Sequence, residues 1–129
     1  MSEGAKQTHE TEILTLRMMS RTAIGDLPTA THERAEVARH GWRLTTVGGT
    51  TADEIVPHLT EADVVSVVGT RMPAAVIDAL RASGRCRAIA RLGAGTDRID
   101  VARATACGIV VMNTPYFCVE EQADHAMAM

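Results

Sequence analysis

Residues 85–125 read RCRAIARLGAGTDRIDVARATACGIVVMNTPYFCVEEQADH, and this stretch decides the fold. Its short apolar runs alternate with helical patterns, which is typical of β-α-β units. Asp100 is a good N-cap and Gly108 a good residue to close a helix, so a short helix is predicted between them. The elements predicted here are, in order, a strand over 87–92, a glycine turn at 93–97, a helix over 101–106, a strand over 109–112 and a helix from Val119.

The rest of the chain extends the same alternation. Residues 1–12 are polar and without periodicity, and they predict a flexible tail. Because strands alternate with helices, the sequence predicts an α/β fold with a parallel sheet wound by right-handed crossovers. The remaining predicted elements are strands over 13–16, 42–47 and 63–68, and helices over 30–40, from Thr51 and over 73–82.

Three loops follow strands in this reading and are predicted to share one edge of the sheet. They are Thr70-Arg71, residues 93–97 and residues 113–118. Ligands of open α/β sheets bind at the carboxyl ends of the strands. The predicted site therefore lies where these loops meet.

Composition excludes several function classes. The 129 residues carry a formal net charge of −3, and the 13 basic residues are interspersed with acids, so nucleic-acid and membrane-surface binding are not expected. No apolar run is long enough to span a bilayer. Three cysteines without CxxC spacing and no secretory segment predict a reduced, cytoplasmic compartment. The five histidines show no metal-ligand spacing, so no metal site is predicted.

Gly93-Ala94-Gly95 admits two interpretations. Two glycines around a small residue let the backbone expose consecutive N–H groups, for which a carboxylate is a natural ligand. A tight strand-to-helix turn without a ligand explains the same residues.

The clusters that follow the last strand are also open to two interpretations. Asn113 could hold its side-chain amide toward the same edge of the sheet, or it could belong to an ordinary turn. The Tyr116-Phe117 pair in the same loop favours a contact surface. Glu121 and His125 are four residues apart on a helix, which suits either an acid–base pair or a surface pair.

Together these motifs resemble the D-isomer-specific 2-hydroxyacid dehydrogenase family. The residues that carry the resemblance are Arg91-Leu-Gly-Ala-Gly-Thr-Asp97-Arg-Ile-Asp100, Ala106-Cys-Gly-Ile-Val110, Asn113-Thr-Pro115 and Cys118-Val-Glu-Glu-Gln-Ala-Asp-His125-Ala. The resemblance implies a flavodoxin-like substrate domain over 13–118, with helices on both faces of the sheet. It implies that 119–129 begin the helix that leads to a Rossmann cofactor domain, before which the chain is truncated.

The resemblance also implies the site residues. The substrate carboxylate is expected on the N–H groups of Ala94 and Gly95, with Gly93 shaping the turn, and Arg71 on the same edge joins the candidate substrate-binding residues. Cys118 and Asn113 are expected near the cofactor, NAD or NADP. The substrate is expected to be a small 2-oxo or 2-hydroxy acid, and the intact enzyme a homodimer.

The family's GxGxxG motif and its catalytic Arg, Glu and His would all lie beyond Met129. No catalytic residue is therefore assigned to this chain, and the chain alone is expected to be inactive. Two alternatives remain open at this point: a stand-alone carboxylate-binding or interaction module, and an inactive gene remnant.

Overall fold

The computed structural model describes residues 11–17, 31–49, 51–59 and 61–129, so most of the predicted tail lies outside the described residues. The strands are β1 (Glu12–Arg17), β2 (Arg43–Gly48), β3 (Val64–Val68), β4 (Ala88–Arg91) and β5 (Val110–Met112). The helices are α1 (Thr31–Arg39), α2 (Ala52–Ile55), α3 (Ala74–Ser83), α4 (Val101–Ala106) and α5 (Val119–Ala128), and a 3₁₀ turn, Val56–His58, follows α2. The predicted alternation is confirmed, with boundaries that differ by about one residue.

All five strands form one parallel sheet in the order β2-β1-β3-β4-β5. This order is that of flavodoxin-like proteins, so the predicted fold class is confirmed. The chain crosses the sheet in one direction from β1 to β2 and then in the other through β3, β4 and β5. Because such crossovers are right-handed, α1 lies on one face and α2, α3 and α4 lie on the other.

The contacts agree with this division of the helices. Helix α2 contacts α3, and α3 contacts α4. Arg34 of α1 donates from Nη2 to Thr46 Oγ1 on β2 at 3.3 Å. Successive strand residues point to opposite faces, so Thr46 faces away from the side on which its neighbour Val47 enters the core.

The core centres on β3. Val65 and Val67 are fully buried, and Ser66 between them, on the other face, is only 8% exposed. The middle of the strand is thus covered on both faces, as its run of valines predicts. The buried apolar side chains are Val47, Ile55, Leu59, Ala62, Val65, Val67, Met72, Val76, Ile77, Leu80, Ile89, Ile99, Ala104 and Ile109.

Local sequence signals mark the ends of several helices. Pro57 lies in the 3₁₀ turn directly after the short α2. Gly84 ends α3 in the left-handed conformation, at φ +72°. Asp100 caps α4 by accepting the Arg103 N–H at 2.9 Å. This cap fixes the end of the segment that contains the glycine turn.

Of the helices in the described part of the chain, none combines the length and apolar character needed to cross a bilayer. Helix α5 begins at Val119, where the sequence predicts a helix leading to another domain. That domain division stays a prediction.

Candidate functional site

The loops after β3, β4 and β5 begin side by side, because these strands are parallel and adjacent. The first two loops are joined by backbone hydrogen bonds: the Met72 N–H donates to Arg98 O at 2.8 Å, and the Asp100 N–H donates to Met72 O at 3.0 Å. The second and third loops meet at the glycine turn. The shared edge predicted from the sequence is therefore confirmed.

The loop after β5 binds two carbonyls of the glycine turn, those of Gly93 and Ala94. The Thr114 N–H donates to Gly93 O at 3.1 Å, and Asn113 Nδ2 donates to Ala94 O at 2.8 Å. These two carbonyls belong to the peptides whose N–H groups come from Ala94 and Gly95. In a trans peptide the N–H and C=O point in opposite directions, so both N–H groups point away from Asn113 and Thr114.

Arg91, the last residue of β4, binds the carbonyls on either side of these two, those of Leu92 and Gly95. Its Nη1 donates to Leu92 O at 2.6 Å, and its Nε donates to Gly95 O at 3.0 Å. The side chain thus folds back across the turn that follows it. All four consecutive carbonyls from Leu92 to Gly95 accept hydrogen bonds.

The N–H groups of Ala94 and Gly95 are in the opposite situation. Within residues 11–17, 31–49, 51–59 and 61–129, no acceptor takes either of them. The Gly93 N–H, in contrast, donates to Arg91 O at 3.0 Å. Successive backbone N–H groups with no acceptor form a small anion-binding concavity. The turn can therefore accept a carboxylate without breaking a bond that it already makes.

Gly93 is needed for this shape. It is buried and has a φ of +148°, a conformation that side-chain-bearing residues rarely adopt. A Cβ on Gly93 would lie 2.8 Å from Arg91 Nη1. The turn therefore depends on glycine both for its backbone angle and for the space that the guanidinium fills.

The turn forms one wall of a cleft of about 620 Å³. The opposite wall is mainly apolar and comes from the loop after β5 and the start of α5. Among the described residues that line the cleft, Arg91 alone carries a charge. The lining consists of Val68, Gly69, Arg91, Leu92, Gly93, Ala94, Gly95, Pro115, Phe117, Val119 and Gln122.

The predicted site residues do not all meet in this cleft. Gly93, Ala94 and Gly95 line it, and Asn113 lies behind the turn with its amide nitrogen bonded to Ala94 O. Arg71 lines a separate shallow groove with Asp97–Asp100. The structure therefore does not bring Arg71 to the glycine turn, and its substrate-binding role stays a prediction.

Cys118 is the residue before α5 and adopts a left-handed conformation at φ +55°. Cys118 is the N-cap of α5, but its thiol makes no capping hydrogen bond with the described residues. Non-glycine residues adopt this conformation at a cost of about 1–2 kcal/mol. Neighbouring Val119 lines the cleft, so Cys118 lies beside it.

The surface around the cleft is strongly apolar. Tyr116 is 87% exposed, Phe117 56%, and Met127 on α5 88%. No residue of α5 is buried. The predicted pair of Glu121 and His125 is not formed by any described hydrogen bond or ion pair.

Sequence reasoning missed the contribution of Arg91. The usable signal was a charged residue at the end of an otherwise apolar strand, two residues before a glycine. A charged side chain at this position is excluded from the apolar core, and the backbone near the following glycine is accessible to it. Its bonds to the turn carbonyls follow from that position.

Among the described residues, those around the cleft do not carry the features expected of a dinucleotide site. The sequence contains no GxGxxG motif that would place a pyrophosphate at a helix start. The donor nitrogen of Asn113 is already engaged with the turn, and the remaining wall near Cys118 is apolar. For metal ions, the described residues include no group of three His, Cys, Asp or Glu side chains placed to bind one.

Comparison with known proteins places these features in a family. Residues 17–128 match the family model for the D-isomer specific 2-hydroxyacid dehydrogenase, catalytic domain. The chain is 35% identical to the D-3-phosphoglycerate dehydrogenase of Mycobacterium tuberculosis over 85 residues, which is 64% of this chain and 15% of that protein. The chain thus spans only a small part of the curated relatives that it matches.

Solved structures show the same fold. The NAD+-bound 3-phosphoglycerate dehydrogenase of Entamoeba histolytica superposes with a TM-score of 0.75 at 22% identity, over 93% of this chain and 38% of that chain. The NADPH-dependent glyoxylate/hydroxypyruvate reductase of Sinorhizobium meliloti, solved with NADP and malonate, gives a TM-score of 0.66 at 27% identity, over 92% of this chain and 33% of that chain. The chain therefore belongs to the D-isomer specific 2-hydroxyacid dehydrogenases, a family of NAD(P)-dependent oxidoreductases, and represents part of their catalytic domain.

Proposed function

We propose that the glycine turn binds the carboxylate of a small 2-oxo or 2-hydroxy acid, and that this chain is the substrate-binding part of an NAD(P)-dependent dehydrogenase. The observation that carries the proposal is the division of polar groups in the turn. All four carbonyls from Leu92 to Gly95 accept hydrogen bonds, whereas the N–H groups of Ala94 and Gly95 find no acceptor among the described residues. A site built in this way presents donors without acceptors, which favours an anion.

The cleft supports binding and orientation more than proton transfer. Of the described residues that line it, none is a His, Asp or Glu. In the intact enzyme the nicotinamide of NAD(P) supplies the hydride chemistry. The residues of this chain hold the carboxylate of the acid in place, and such positioning can supply a large part of a rate enhancement.

The proposal is tested by titrating the ¹⁵N-labelled chain with oxalate and with oxamide. Oxamide has a similar shape and no charge, so it is the matched control ligand. We expect saturable shifts of the Ala94 and Gly95 amide signals at millimolar oxalate, and none with oxamide. Absence of oxalate-dependent shifts at these two amides would refute the proposed binding site.

A kinetic experiment tests whether this chain alone catalyses the oxidation of NADH. The chain is incubated with NADH and glyoxylate, pyruvate or hydroxypyruvate, and the concentration of NADH is followed by its absorbance. We expect no NADH oxidation, because the cleft lining offers no acid–base side chain and the sequence no dinucleotide motif. Turnover above the buffer control would contradict this.

Other properties of the intact enzyme stay predictions. They are a homodimeric state, a cytoplasmic location, and cofactor contacts from Cys118 and Asn113. The exposed Tyr116 and Phe117 support a contact with a further part of the enzyme or a partner, since large exposed apolar patches mark interaction surfaces.

A further inference from the structure

Arg91 connects Leu92, the residue before the glycine turn, with Gly95 inside the turn. Its Nη1 donates to Leu92 O at 2.6 Å and its Nε to Gly95 O at 3.0 Å. A guanidinium carries its donors in a rigid planar fork, so a single side chain can hold two carbonyls that lie three residues apart. Lysine, with one flexible ammonium group, cannot reproduce that geometry.

Gly93 provides the space for this contact. A Cβ at this position would lie 2.8 Å from Nη1 of Arg91 and 3.0 Å from its Cζ. The guanidinium therefore rests against the bare backbone of Gly93. The conformation of the turn and the position of the positive charge depend on each other.

The charge of Arg91 also changes the electrostatic potential at the N–H groups of Ala94 and Gly95, which together we call the cradle. Carbonyl oxygens carry partial negative charge and repel an anion bound to neighbouring N–H groups. The carbonyl oxygens of Leu92 and Gly95 accept hydrogen bonds from the positively charged guanidinium of Arg91, which offsets their repulsion of a bound anion. The side chain is half-buried, and both of its hydrogen bonds lie at the exposed surface of the turn.

We propose, building on the carboxylate-binding function above, that Arg91 is a positioning residue for the cradle. It holds the turn so that the N–H groups of Ala94 and Gly95 stay available to a bound anion. It also supplies the positive charge that makes this pair select an ionised carboxylate over a neutral amide of the same shape.

Two substitutions separate these roles. Arg91→Lys keeps the charge and loses the fork, whereas Arg91→Gln loses the charge. Arg81→Gln is the matched control, because Arg81 is exposed on α3 and does not line the cleft. By oxalate titration of the full chain, we expect R91Q to bind roughly tenfold more weakly than the unsubstituted chain, R91K roughly threefold more weakly, and R81Q within about twofold.

The amide signals of the ligand-free protein provide a second measurement. In both Arg91 variants the Ala94 and Gly95 signals are expected to shift or broaden while signals from the core strands stay in place. R81Q is expected to change neither. A merely structural effect on the domain would move the core signals as well.

The outcomes distinguish this role from the proposed function. Equal oxalate affinities of R91Q and R81Q would overturn the role of Arg91 and leave the carboxylate site standing. If the unsubstituted chain does not bind oxalate, the proposed function falls. Arg91 is then judged on the ligand-free signals: unchanged Ala94 and Gly95 amides in R91K refute its positioning role, and displaced ones support it.

Discussion

Gly93→Ala is the most informative single change in the turn. The backbone φ of +148° is strained for any residue with a side chain, which costs about 1–3 kcal/mol. The new Cβ would also lie 2.8 Å from Arg91 Nη1, so the guanidinium must leave. Losing its two hydrogen bonds at this half-buried position adds about 1 kcal/mol. The free energy of unfolding should fall by about 2–4 kcal/mol in total.

The corresponding change in melting temperature follows from the size of the chain. With an unfolding entropy of about 2.1 cal/mol/K per residue, each kcal/mol lowers Tm by about 4 °C for 129 residues. Gly93→Ala should therefore lower Tm by about 8–16 °C. Thermal and urea unfolding followed by circular dichroism measure both quantities.

Two other glycines serve as controls. Gly84 has φ +72° and nothing within 4 Å of an added Cβ, so Gly84→Ala isolates the backbone cost of about 1–2 kcal/mol. Gly95 lacks a left-handed φ, and its Cβ would meet only Asp97 Oδ1 at 2.9 Å, the end of a flexible side chain. Gly95→Ala should change stability by less than about 1 kcal/mol.

A double-mutant cycle isolates the contact with Arg91. In an Arg91→Ala background, Gly93→Ala should cost about 1 kcal/mol less than in the unsubstituted chain, because no guanidinium has to be displaced. The reasoning is refuted if Gly93→Ala is no more destabilising than Gly84→Ala, or if its cost is the same in both backgrounds.

Two further predictions concern groups outside the cleft. Burial raises the pKa of the Cys86 thiol from 9.0 to about 11, so the folded protein keeps this proton longer than the unfolded chain. Stability from this group is fully present below pH 9 and should fall by about 1–3 kcal/mol between pH 9 and 11. Cys86→Ala should abolish that slope in urea titrations, and an unchanged slope would contradict the assignment. In the part of the chain that the structure describes, the Thr70 hydroxyl is buried and no group bonds it, so Thr70→Val should raise the free energy of unfolding by about 1 kcal/mol. A loss of stability in the same urea assay would show that the hydroxyl has a partner.

The elements and their order follow from local sequence signals. Apolar runs, the Asp100 cap and the glycines after the helices act locally, so they fix strands and helices without reference to distant residues. Because alternating strands and helices give a parallel sheet, the loops after β3, β4 and β5 then share the edge at the carboxyl ends of the strands. The glycine turn and its place at that edge were therefore predictable, as was the resemblance to a dehydrogenase family.

Only the tertiary structure decided which groups of the turn remain available. Asn113 bonds Ala94 across 19 positions of sequence, and this contact exists because β5 pairs with β4 in a particular register. Arg91 turns back onto Leu92 and Gly95, a choice of rotamer that no periodicity encodes. Likewise, Arg71 shares the edge with the turn but lines a different groove. Sequence places residues at an edge through local propensity and chain direction, whereas hydrogen-bond partners depend on register and side-chain conformation in the folded chain.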